Sequence, residues 1–194
     1  METVLVNQEK RMNTSKAAIP LLWVSIVSMV MVFGSLTSGY IVSRGGGNWL
    51  HFELPQLFYV STAIILMSSV TMNWTLASAK ANNLKNIKIA SVLTLVLGIL
   101  FVVFQFKAWG YLVDQQIFFT GKTSSGSGSY LYVLTGLHIA HLVFGMIALT
   151  VVFVKSLLHK YNSENLLGIR LCAIFWHFLD VLWIFLFLFL LFVR

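Results

Sequence analysis

Residues 130–154 read YLYVLTGLHIAHLVFGMIALTVVFV, without one Lys, Arg, Asp or Glu. A helix needs roughly 20 apolar residues to cross the hydrocarbon of a bilayer, and this stretch is long enough. Three more charge-free runs cover residues 17–43, 54–79 and 89–106. After Arg170, only Asp180 interrupts the apolar sequence before Arg194. The runs are continuous and lack the alternation of a membrane-spanning β-strand. They predict an all-α membrane protein, a bundle of five transmembrane helices at about 19–43, 56–79, 87–108, 130–154 and 169–193.

Composition agrees. Only 10% of the residues are charged, against about a quarter in a soluble domain. So few charges could not cover a water-facing surface. Nine of the thirteen basic residues fall on one side of the predicted bundle: Lys10, Arg11, Lys16, Lys80, Lys85, Lys88, Lys155, Lys160 and Arg170. Arg44, Lys107, Lys122 and Arg194 fall on the other. Basic residues stay on the cytoplasmic side, so the N-terminus is expected in the cytoplasm and the C-terminus outside. The net charge of +7 is then a topology signal spread over short loops. It does not form a face for nucleic acid.

Residues 1–18 form the expected cytoplasmic N-terminal tail, and 19–194 a single transmembrane domain. The polar tail precedes an apolar run too long for a cleavable signal, so the first helix is expected to stay in the protein. Cys172 is the lone cysteine, which rules out an internal disulfide. In the first external loop, SRGGGNWLHFELP at 43–55, Gly45, Gly46 and Gly47 serve turning and Trp49 the interface. The second ends in GKTSSGSGS at 121–129, a flexible Gly/Ser stretch. Trp23, Trp74 and Trp109 sit near predicted helix ends and read as interfacial anchors. Ser35 with Gly39, and Gly136 with Ala140, are small residues four apart that let helices approach closely.

Polar groups inside hydrocarbon are expensive and usually functional. His138 and His141 lie three apart on the fourth helix, and His177 and Asp180 three apart on the fifth. Residues at that spacing share a helix face. Antiparallel neighbours would bring all four side chains to similar depth, facing the bundle or a partner. Three readings compete. The cluster is a hydrogen-bonded packing device or subunit contact, a metal or b-type heme site, or a proton relay in a free-standing proton or small-solute transporter.

Two strings carry a specific resemblance. FWHFLDVLWIFLF at 175–187 resembles the last-helix signature of subunit III of the heme-copper oxidases, through Trp176, His177, Asp180 and Trp183. LTGLHIAHLVFG at 134–145 is similar to the family's Leu-Thr-Gly-x-His-x-x-His segment, through Thr135, Gly136, His138, His141 and Gly145. Weaker echoes are STAIILMSSVT at 61–71 and VVFQFKAWGYL at 102–112, where Gln105 and Trp109 match a Gln-x-x-x-Trp ending. The chain looks like the five-helix bacterial form. Many members carry a Ser-Glu pair in the first helix of this core, whereas this chain has Ser28 and Met29.

The resemblance implies a non-catalytic subunit of cytochrome c oxidase in a bacterial inner membrane. Such a subunit would pack beside subunit I and other oxidase subunits, hold membrane phospholipid, and support proton supply. It implies no cofactor on this chain, with hemes and copper in partner subunits. His138, His141, Trp176, His177, Asp180, Trp183, Thr135 and Gln105 would serve structure, lipid or subunit contact. Related alternatives are subunit III of a quinol oxidase or an accessory protein of nitric oxide reductase.

Overall fold

The computed structural model describes residues 2–46, 54–81, 83–120, 126–158 and 166–193, with side chains from Ala17 onward. Five α-helices follow one another: α1 (Glu2–Ser43), α2 (Leu57–Lys80), α3 (Leu84–Asp114), α4 (Gly126–Leu157) and α5 (Leu167–Phe192). All five are long and apolar enough to cross a membrane, α1 through Ala17–Ser43. There is no strand among the described residues.

Buried positions recur every seven residues. They are Ile26, Phe33 and Tyr40 on α1; Phe58, Ile65, Met72 and Ala79, with Ser61, Ser68 and Thr75, on α2. On α3 they are Ile87, Thr94, Phe101 and Ala108. On α4 they include Leu131, His138, Gly145 and Val152, and on α5 Ile169, Trp176, Trp183 and Leu190. A seven-residue repeat keeps one seam facing inward as helices coil left-handedly around one another. α2 packs most extensively against α3, and α3 also packs against α4, α4 against α5 and α5 against α2, so these four close a ring. α1 lies outside it and makes its main contacts with α4 and α5.

The helix ends differ from the sequence reading for identifiable reasons. The segment ahead of the first span continues α1, with Pro20 inside the helix. α3 starts at Leu84 because Asn83 caps it, its Oδ1 accepting the Asn86 N–H at 3.2 Å. α3 runs on to Asp114 and closes with a left-handed residue, Gln116 at φ 60°. The Gln116 and Ile117 N–H groups donate to Val113 and Leu112 carbonyls at 2.9 and 3.0 Å. This is a Schellman closure, in which buried Ile117 and Leu112 occupy the paired apolar positions.

Gly126–Ser129, expected as flexible loop, form the first turn of α4. Ser127 and Gly128 are buried there, and the Ser129 hydroxyl donates to the Phe119 carbonyl at 2.7 Å. Tertiary burial overrides the weak helix propensity of Gly and Ser. Residues 121–125 and Trp49 lie outside the described residues, while Arg44–Gly46 make a 3₁₀ turn.

Candidate functional site

The site is a set of polar contacts between α2 and α5, continued between α3 and its two neighbours. Trp183 Nε1 donates to Thr62 Oγ1 at 3.0 Å, and that hydroxyl donates to the Phe58 carbonyl. Trp176 Nε1 donates to Ser68 Oγ at 3.0 Å, and Ser68 donates to the Ile65 carbonyl. Gln105 Nε2 donates to Ser61 Oγ at 3.0 Å, and Ser61 donates to the Phe58 carbonyl. Trp109 Nε1 donates to Thr135 Oγ1 at 3.1 Å, and Thr135 donates to the Leu131 carbonyl at 2.7 Å.

One rule runs through all four contacts. A hydroxyl gives its proton to a carbonyl three or four residues back on its own helix. Its lone pair is then fixed for a donor on the neighbouring helix. In hydrocarbon no water competes for either partner.

Close approach makes these contacts possible. A Cβ on Gly98 would stand 3.0 Å from the Trp176 ring, so the indole lies directly on α3. A Cβ on Gly145 would stand 3.1 Å from Leu179. Of the small pairs read from sequence, Gly39 packs against Tyr130 and Gly136 against Trp109. Ser35 and Ala140 are exposed. Trp23 and Trp74 are exposed, at 54% and 42%. Trp109 is a half-buried helix-to-helix contact, since its N–H has a partner inside the bundle.

The intramembrane histidines and Asp180 do not form one cluster. His177 turns to α2, with Nδ1 2.7 Å from Ser69 Oγ and Nε2 3.1 Å from Asn73 Oδ1. Its Nδ1 is 3.9 Å from an Asp180 oxygen. Asp180 is buried, and its carboxyl oxygens have no hydrogen-bond partner among the described residues.

His138 is sealed on α4, its ring against Phe101 of α3 and Trp183 of α5 at centroid distances of 5.9 and 5.1 Å. His141 Nδ1 bonds its own helix at the Leu137 carbonyl, 2.8 Å away, and its ring meets Phe33 of α1. The expected helix 4/5 cluster is replaced by an α2–α5 seam, because His177 finds its partners on the Ser/Thr-rich helix. Among the described residues no three of His, Cys, Asp and Glu gather in a way that could hold a metal ion. Sequence reading missed Ser61, Thr62, Ser68, Ser69 and Asn73 as partners. The signal was the hydroxyl density of 61–71, taken there only as an echo.

Comparison with known proteins places this chain in a family. The family model described as cytochrome c oxidase subunit III matches residues 47–193. Cytochrome c oxidase subunit 3 of Alkalihalophilus pseudofirmus is 33% identical over 85% of this chain and 81% of its own length. The probable quinol oxidase subunit 3 of Staphylococcus saprophyticus is 28% identical over 85% and 83%. Cytochrome c oxidase subunit 3 of Myxine glutinosa is 34% identical over 71% of this chain, which spans only 49% of that relative. The chain belongs to the cytochrome c oxidase subunit III family.

Proposed function

We propose that this chain is subunit III of a respiratory heme-copper oxidase, which reduces oxygen to water with electrons from cytochrome c and moves protons. The observation that carries the reading is the family match over residues 47–193, which span the closed α2–α5 ring. In this role the chain breaks no bonds. Hemes and copper belong to partner subunits. The chain packs beside subunit I in a bacterial cytoplasmic membrane, holds phospholipid, and supports proton supply. Its N-terminus is cytoplasmic and its C-terminus external, in keeping with the nine-to-four split of basic residues. The α2–α5 seam serves assembly: it fixes the shape of the face that other subunits meet.

Tagging the chain and purifying it under mild detergent tests the reading. Co-purifying subunits with reduced heme bands are expected, and recovery without any heme-bearing partner overturns it. A reporter fused after Arg194 should be active outside the cytoplasm. The relative named for quinol oxidase favours a second reading, a quinol-fed complex. Oxygen consumption with reduced cytochrome c against a short-chain quinol separates the two.

A further inference from the structure

His138 has 0% exposure, and neither ring nitrogen has a protein partner among the described residues. A neutral imidazole carries one N–H donor and one bare acceptor. His141, one turn on, meets its need at a carbonyl of its own helix. His138 does not, because Phe101 and Trp183 clamp its ring across the bundle. A Phe would fill the same slot with no polar atom to satisfy.

A second buried atom without a partner lies on α3. Gln105 is also at 0% exposure; its Nε2 is committed to Ser61, and its Oε1 has no partner among the described residues. On α3, Gln105 sits one turn from Phe101 and one turn from Trp109. Across the interface, Phe101 meets His138 while Trp109 meets Thr135. Gln105 therefore sits between those two contacts along α3. On α2, Ser61 and Thr62 are adjacent and hold Gln105 and Trp183. Two chains of contact thus connect the buried amide to the buried imidazole, one through Phe101 on α3 and one through Ser61, Thr62 and Trp183.

Buried polar groups without protein partners are where proteins hold ordered water, which needs two to four polar contacts. We propose that the His138 ring and Gln105 Oε1 face one hydration site between these helices, holding one structural water that accepts the His138 N–H and donates to Gln105 Oε1. The water ties α3 to α4 at the depth where Trp183 closes the ring. It also selects the His138 tautomer, since the nitrogen facing the water carries the proton. The inference does not depend on the oxidase reading, because it concerns only this chain's interior.

The test is a density map of the chain in the complex with which it is recovered, at a resolution where internal waters appear elsewhere. A peak within about 3.2 Å of both a His138 ring nitrogen and Gln105 Oε1 is expected. An empty interval, or direct contact between the two side chains, overturns the proposal. Thermal inactivation half-lives of His138→Phe, Gln105→Met and the double variant give a second readout. If one water joins the pair, the double variant loses no more half-life than the worse single variant. Losses that multiply overturn the bridge, even where one variant is too unstable to image.

Discussion

α5 and α1 are both long apolar helices, yet the bundle holds them by different means. α5 buries three adjoining rows of side chains and places Trp176, His177 and Trp183 on hydroxyls of α2. α1 buries Ile26, Phe33, Thr37 and Tyr40 along one seam and exposes Leu21, Val24, Val27 and Met31 to its surroundings. Lipid tails are as apolar as leucine, so burial of carbon alone gives little preference for protein over lipid. Close packing and hydrogen bonds must supply it. α5 has both, and α1 has mainly the first.

The contrast breaks most readily at Trp176. Trp176→Ala empties the space over Gly98 and frees the Ser68 acceptor, with an expected cost of about 3–5 kcal/mol. The thermal midpoint of the detergent-purified chain should collapse, or the chain should not be recovered with its complex.

Asp180→Ala comes next, at about 1–3 kcal/mol, through the small cavity left beside His177. Less of the chain should co-purify with the oxidase, while the first-turnover rate per heme stays near normal. A collapse of that initial rate at unchanged subunit content would give Asp180 a direct part in proton delivery.

Thr62→Val removes the acceptor of the Trp183 N–H while keeping its shape, for about 1–2 kcal/mol, read as a lower thermal midpoint. The smallest effect belongs to α1. Val24→Ala, on its exposed side, should change the stability of the isolated chain by less than about 0.5 kcal/mol. If it nonetheless lowers recovery of the complex, that side of α1 meets another subunit.

The number, type and approximate limits of the helices were legible because charge-free length is the dominant signal in a membrane chain. Which side faces inward was not. In a soluble helix apolar residues mark the core, but here Leu66, Met67 and Val70 on the outside of α2 are as apolar as Ile65 and Met72 within. The inward face is marked instead by Ser61, Ser68 and Thr75, and that reading requires knowing that small hydroxylated residues seek protein in hydrocarbon. The site was half legible for the same reason. The donors in FWHFLDVLW stand out as expensive groups, whereas their acceptors are ordinary serines and threonines. Pairing His138 and His141 with His177 and Asp180 followed from spacing along single helices. Spacing says which residues share a face and nothing about which neighbour that face meets.

The outlying position of α1 has a consequence for how the protein is made. α2 and α3 are joined by a few residues and can pair as soon as both have entered the membrane. α1 enters first, but its main partners are α4 and α5. Its Ser43 meets Tyr130 across 87 residues of chain, and Arg44 reaches the Val193 carbonyl across 149. At roughly 5–20 residues per second of synthesis, α1 waits on the order of ten seconds for its docking surface to exist. During that interval it must stand alone in lipid. A helix that is apolar nearly all round, with Ser25 and Ser35 tied to their own backbone carbonyls, suits that wait. The loose attachment of α1 in the finished bundle is thus the counterpart of its independence during insertion.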